Sequence, residues 1–306
     1  MPYAIDKAFF PFSLFAPPIR SARMAGMMNA FIQPPVGLLR DKQMAVAKEA
    51  FASFDGASVN VFVMQPREVQ TENCLVYLHG GGFFFGAAGY HYKNAKQYCL
   101  QTPCKVVFVD YRLTPHHPFP IPARDCFAAW LWTHENADKL GICKNKIAVG
   151  GDSAGGALAA SVCLMAKDRK APDPLFQLLV YPVTDRRMNT ESHKKFTDTP
   201  MWNSKLNVKM WEGYLPDPQA KNLYYASPME AESFKNLPTA FVETAEFDCL
   251  HDEGIAYAEA LQKAGVSVTT NETKGTMHGY DIVQRAPVTK DSLVKRIQFM
   301  QTCFEE

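Results

Sequence analysis

The first fifty or so residues are mixed in character, helix-like in part and broken by prolines; beyond them short β-rich runs alternate with stretches of helical period. The strand-like runs are Val59 to Met64, Leu75 to Leu78, Val106 to Val109, Ile147 to Val149, Leu175 to Val180, Ala240 to Thr244 and Val266 to Thr270. The helix-like stretches are Ala123 to Ala137, Ala154 to Lys167, Asp252 to Ala264 and Thr289 to Cys303. Alternation of this kind predicts an α/β fold, with a mostly parallel central sheet covered by helices on both faces.

One stretch breaks the rhythm. Thr184 to Leu237 holds no β-run and carries Met201, Trp202, Met210, Trp211, Tyr214, Tyr224 and Tyr225 among charges and prolines. It is too long for a plain loop in a compact domain, so it reads as a helical insertion over the C-terminal edge of the sheet. No internal repeat, low-complexity tract or linker divides the chain, and residues 1–306 are read as one domain with an elaboration.

Composition narrows the function classes. Hydrophobic residues make up 47% and charged residues 21%, enough apolar surface for a large core, which excludes intrinsic disorder. Thirty-two Lys and Arg against 31 Asp and Glu leave a net charge of +1, so there is no basic field to hold nucleic acid. Eight cysteines are too dilute for a disulfide scaffold and are expected as buried free thiols. Neither Cys-x-x-Cys nor His-Glu-x-x-His occurs, and no metal or other cofactor is expected. The apolar run Ala8 to Ile19 is interrupted by Pro11, Pro17 and Pro18 and follows Asp6 rather than a cationic cluster. It is expected to be a packed N-terminal arm, not a signal sequence. No run reaches the roughly 18 apolar residues of a membrane helix, and the chain is expected to be soluble and cytoplasmic.

Two motifs carry chemistry. Gly151-Asp152-Ser153-Ala154-Gly155 follows one strand-like run and opens a helix-like one, the context of a nucleophile elbow. Glycine is needed two positions either side because a serine in strained backbone leaves no room for neighbouring Cβ atoms. His79-Gly80-Gly81-Gly82 sits where Leu75 to Leu78 ends, and three bare residues in a row let backbone N–H groups converge on one point, as a developing oxyanion requires. The Ala154 N–H, at a helix N-terminus, would add a donor. His79 is expected to order the loop by hydrogen bonding rather than to move a proton.

A serine hydroxyl needs a base and an orienting carboxylate. On a sheet of this kind they follow the serine in the order acid, then histidine. His193, His251 and His278 lie after Ser153; His193 falls in the polar insertion and His251 at a helix start, whereas His278, between Gly275 and Gly279, lies on a loop able to reach the sheet edge. His278 is therefore the expected base. Asp248, just past Ala240 to Thr244, is the expected carboxylate, with Asp252 as its rival; the plain alternative is that both cap the following helix.

These positions resemble the hormone-sensitive-lipase-like branch of the α/β-hydrolase fold, bacterial esterases that share His-Gly-Gly-Gly and Gly-Asp-Ser-Ala-Gly-Gly. The likeness runs from about Leu75 to Tyr280 and takes in Asp110-Tyr111-Arg112-Leu113, Pro118-Phe119-Pro120, Ala226-Ser227-Pro228, Asp252-Glu253-Gly254 and Met277-His278-Gly279-Tyr280. It implies a Ser153, Asp248, His278 triad, an oxyanion hole of the Gly81, Gly82 and Ala154 N–H groups, and a cap built from about 1–50 and about 184–225. His116 stands where the family usually has glutamate, and Cys249 where it usually has proline; both bear on loop rigidity, not on a reacting atom. The expected activity is hydrolysis of small, uncharged carboxylic esters with short or medium acyl chains. An amidase or deacylase using the same groups is the nearest alternative, and a non-catalytic small-molecule receptor the remote one. A homodimer through an edge strand is also compatible. Arg112 is read as a structural ion pair with Asp110 or Asp125, and Trp202, Trp211 and Tyr214 as cap packing, with lining of a substrate tunnel as the alternative. A base must be neutral to accept a proton, so hydrolysis should fall off below about pH 6 in a pH–rate profile, and a profile flat to about pH 4 would contradict a histidine base.

Overall fold

The computed structural model describes residues 3–10, 12–14, 29 and 42–306. Eight strands form one sheet in the order β1-β2-β4-β3-β5-β6-β7-β8. The antiparallel edge is β1 (Met44–Ala52) against β2 (Ser58–Pro66), which pairs antiparallel with β4 (Lys105–Asp110). From there β3 (Cys74–Leu78), β5 (Ile147–Asp152), β6 (Phe176–Val180), β7 (Thr239–Phe247) and β8 (Val268–Met277) run parallel. The helices that lie within the described residues include α1 (Gly89–Gln101), α2 (Ile121–Glu135), α3 (Ala137–Leu140), α4 (Ala154–Arg169), α5 (Glu191–Lys195), α6 (Ser204–Tyr214), α7 (His251–Lys263) and α8 (Pro287–Glu305).

The alternation of side chains along each strand builds two cores. Val76, Leu78, Val107, Val149 and Val242 point to one face, under α2, α4 and α7; Leu75, Tyr77, Phe108, Leu178 and Phe241 point to the other, under α1 and α8. β3 is flanked by β4 and β5, so strand order reverses there, and in such sheets ligands occupy the crevice beyond the carboxyl ends at the reversal. The register sets Leu78 beside Gly151, which places the chain after β3 and the chain after β5 side by side at that crevice.

Two elements differ from the sequence reading. β1 falls inside the stretch assigned to the cap; its sequence, Met-Ala-Val-Ala-Lys-Glu-Ala-Phe-Ala, is poor in β-branched residues, and it is a strand because the hairpin at Ser53–Ala57 lays it along β2. Of the rest of the N-terminal cap segment, residues 3–10, 12–14, 29 and 42–43 are described: Tyr3 Oη donates to Asp198 of the insertion at 2.5 Å, and Asn29 Nδ2 to the Phe84 carbonyl at 2.8 Å. α1 is built from Tyr, His, Asn, Lys and Gln, so its buried stripe, which includes Tyr92, Asn94 and Tyr98, does not read as apolar. The insertion carries α5 and α6 with no strand, as its composition predicts. Its Tyr214 ring stacks on Phe83 with centroids 3.6 Å apart. Arg112 pairs with Asp125, at 2.6 and 2.8 Å, and with Asp55 at 2.7 Å, rather than with Asp110.

Beneath β7 and β8 lies a charged core. Arg296 of α8, fully buried, pairs with Glu243 of β7 and reaches Asp281 at 3.1 Å, while Tyr280 Oη donates to Glu243 at 2.5 Å. Breaking a buried ion pair by removing one partner strands the other charge. Arg296→Met should therefore lower the unfolding free energy by about 3–5 kcal/mol in urea denaturation, and an unchanged midpoint would mean that these charges are not desolvated.

Candidate active site

β5 ends at Asp152 and α4 begins at Ala154, so the turn between them is a single residue, Ser153, with φ 55° and ψ −119°. A non-glycine residue in that region stores about 1–3 kcal/mol, held here by surrounding hydrogen bonds. The Ser153 N–H donates to the Val180 carbonyl at 2.8 Å, and the Ser153 carbonyl accepts from the N–H groups of Val183 at 3.1 Å and Ala157 at 3.2 Å. A Cβ on Gly155 would run into the Leu78 carbonyl oxygen, and one on Gly151 into that same oxygen and the Gly155 carbonyl. The two glycines flanking the serine are thus demanded by the closeness of β3 to the start of α4.

β7 delivers Asp248 one residue past its end, and β8 delivers His278 one residue past its own. His278 Nδ1 lies 2.6 Å from Asp248 Oδ2, and His278 Nε2 lies 2.8 Å from Ser153 Oγ. With Nδ1–H donating to the carboxylate, Nε2 is left as the acceptor facing the serine hydroxyl. Asp248 is fully buried, and its other oxygen accepts from the Leu250 N–H at 3.0 Å. The rivals stand elsewhere. Asp252 accepts from the Ser192 N–H at 2.7 Å and from His251 at 2.8 Å, tying the insertion to the first turn of α7. His193 lies on α5, and burial lowers its pKa.

The third part is the loop His79–Gly82. Gly81 has φ 118° and Gly82 φ 59°, backbone suited to glycine, and space is short as well: a Cβ on Gly82 would meet Trp202 Cη2 at 2.7 Å. Among the described residues, the N–H groups of Gly81, Gly82 and Ala154 donate to no other protein group. Asp152 ties this loop to the elbow. Its Oδ1 accepts from the Gly80 N–H at 3.1 Å and from Tyr77 Oη at 2.7 Å. Its Oδ2 lies 3.1 Å from His91 Nε2, whose ring is oriented by the Ala88 N–H donating to Nδ1 at 2.8 Å. Burial pushes the Asp152 carboxyl up, but His91 and the Tyr77 hydroxyl outweigh it and hold the group down at about 2. His79 donates from Nδ1 to the Gly80 carbonyl at 2.7 Å and stacks on Tyr111 with centroids 4.5 Å apart, so its part is to order the loop.

One residue at the site, Tyr181, escaped the sequence reading. Trp202, read as cap packing with tunnel lining as the alternative, has its ring centroid 6.0 Å from that of His278 and packs over Gly82. Tyr181, with φ 35°, sets its ring 4.8 Å from His278 and donates from Oη to Asp281 at 2.5 Å, joining the imidazole's packing to the Arg296 core. Phe83 and Phe84 are fully buried, Phe83 stacked on Tyr214 and Phe84 with its ring 6.1 Å from that of Trp202. Among the described residues no cluster of His, Cys, Asp or Glu is placed to hold a metal ion.

Strand order, an elbow between β5 and α4, and an acid and a histidine beyond β7 and β8 are the arrangement of an α/β hydrolase. A family model described as the alpha/beta hydrolase fold matches residues 75–282, and the chain belongs to that family, in its hormone-sensitive-lipase-like branch. It is similar to Esterase LipI of Mycobacterium tuberculosis (36% identity over 211 residues, 67% of this chain and 65% of that protein). It is also similar to Carboxylesterase NlhH of the same species (36% over 239 residues, 76% and 75%). The matched part spans only 56% of Carboxylic ester hydrolase LipN and 62% of AB hydrolase superfamily protein C1039.03 of Schizosaccharomyces pombe. Among solved structures, Bacterial Heroin Esterase superposes with a TM-score of 0.88 at 30% identity, covering 99% of both chains.

The buried His79 leads to a pH-dependent stability. Burial first, and the neighbouring His91 second, hold it down at about 3, so the folded state refuses a proton that the unfolded chain accepts below about pH 6.5. The stabilisation is present above pH 6.5 and is lost as the pH falls toward 3. Between pH 7 and pH 5 wild type should lose up to about 2 kcal/mol by this route. His79→Gln should flatten that slope in denaturant titrations, and an equal slope in both proteins would refute it.

Proposed function

We propose that the chain is a carboxylic ester hydrolase working through an acyl-enzyme, with Ser153 as nucleophile, His278 as general base and acid, and Asp248 as the orienting carboxylate. The observation that carries this reading is the unbroken line from Ser153 Oγ to His278 Nε2 at 2.8 Å and from His278 Nδ1 to Asp248 at 2.6 Å. His278 takes the serine proton as Oγ attacks the ester carbonyl, then gives it to the departing alcohol. A water entering the same place is activated by the same Nε2 and releases the acid. Asp248 holds the tautomer and stabilises the imidazolium. The N–H groups of Gly81, Gly82 and Ala154, unpaired among the described residues, donate to the oxyanion.

The names of the relatives, an esterase, a carboxylesterase and a heroin esterase, support the reaction class. The Trp202 and Tyr181 rings beside His278 suit an uncharged ester, and the short or medium acyl chain follows from the family resemblance. Residues about 184–225, with the N-terminal residues, are proposed to form the cap over it.

Ser153→Ala should lower kcat/KM for a p-nitrophenyl ester by about 10⁴-fold or more, and adding Asp248→Asn to it should cost little further, since members of one catalytic unit are not additive. A serine-reactive phosphonate should label Ser153 stoichiometrically. Matched ester and amide substrates complete the test: faster turnover of the amide would replace the esterase reading with an amidase, and no turnover with no labelling would leave a receptor.

A further inference from the structure

A cavity whose lining includes none of the residues around Ser153 lies between α2 and β1. It has a volume of about 630 Å³, within the roughly 300–1,000 Å³ of small-molecule sites. Its floor is apolar: Phe127, Leu131 and Trp132 from one face of α2, and Phe51 and Phe54 from β1 and its hairpin. Phe51 stacks on Trp132 with ring centroids 6.1 Å apart, and Phe54 remains 47% exposed.

Two cations stand at its rim. The Arg124 guanidinium lies 4.6 Å over the Phe54 ring and the Arg169 guanidinium 4.9 Å over the Phe127 ring. Aromatic faces hold both in place, and neither has a carboxylate partner among the described residues. Arg112, 6.0 Å from Phe54, differs in being saturated by Asp55 and Asp125. Glu135 is the one carboxylate in the lining and pairs with neither arginine. An apolar floor with two uncompensated guanidinium groups at its edge complements a ligand with a hydrocarbon tail and an anionic head.

We propose that this cavity is a binding site for a single-chain carboxylate of medium length, a fatty acid of about eight to twelve carbons, separate from the reacting centre. The tail lies along Phe127, Leu131 and Trp132, and the carboxylate meets Arg124 and Arg169. The site stands on its own geometry and does not require the ester hydrolase reading. If that reading holds, the ligand belongs to the chemical class of acids that the reaction releases.

The test is binding of radiolabelled decanoate to protein first treated with a serine-reactive phosphonate, read by equilibrium dialysis. One saturable equivalent is expected, with affinity rising up to about fourfold per methylene from octanoate to dodecanoate. R124E/R169E should weaken binding by about tenfold or more while leaving turnover of a short neutral ester unchanged, and L131D should weaken it without altering charge at the rim. Decanol should bind at least about tenfold more weakly than decanoate. No saturable binding, equal affinity for decanol, or unchanged affinity in R124E/R169E would each overturn the proposal. So would wild type sedimenting as a dimer that R124E/R169E dissociates, because the face would then be a subunit contact. Failure of the phosphonate to label Ser153 would count against the hydrolase reading alone, since the arginine and leucine variants still report on this cavity.

Discussion

The close approach of the first turn of α4 to the end of β3 is the constraint on which the site depends. The Leu78 carbonyl sits where any side chain at Gly151 or Gly155 would have to go, so the backbone passes through with hydrogen at those positions or not at all. That crowding forces the reversal at Ser153 into a conformation that serine does not adopt freely, and the hydrogen bonds from Ser153 to β6 and the chain beyond it hold it there. It also fixes the loop after β3 against the start of α4. The same approach, with the Asp152 carboxylate accepting from the Gly80 N–H, sets the loop that carries Gly81 and Gly82 beside the start of α4.

Burial of charge is handled differently in each place where the fold allows it. Asp152 is kept ionised by donors on every side and works as a clamp between two loops. Glu243 and Asp281 are balanced by Arg296, whose guanidinium also reaches the Tyr98 hydroxyl at 3.1 Å. Glu253 has one oxygen engaged by the Thr184 and Asp185 N–H groups and the other without a hydrogen-bond partner among the described residues, and desolvation pushes its carboxyl well up toward the neutral acid. These groups together tie β7, β8, α7 and α8 to the edge at which Asp248 and His278 emerge.

Much of this was legible in the chain. Short β-rich runs named seven of the eight strands, and the glycine patterns named the turns, because a turn that excludes Cβ atoms leaves its mark in the residue types. The choice of His278 over His193 and His251, and of Asp248 over Asp252, rested on position relative to strands, and the geometry brings the chosen pair to Ser153. β1 was missed because alanine, lysine and glutamate carry no strand signal, and its pairing with β2 is a tertiary fact. α1 was missed because its buried face is made of tyrosine, histidine and asparagine that spend their polar atoms on Asp152, Asp281 and Arg296. Tyr181 was out of reach for the same reason: what it touches is decided by residues about a hundred positions away.

The distance along the chain between Arg296 and the carboxylates it neutralises has a consequence for biosynthesis. Glu243 and Asp281 precede α8 in synthesis, so their ion pairs with the Arg296 guanidinium form only after that helix has been made and packed. The Tyr181 ring, which lies against His278 and donates from Oη to Asp281, therefore leans on a charge that α8 is the last to balance.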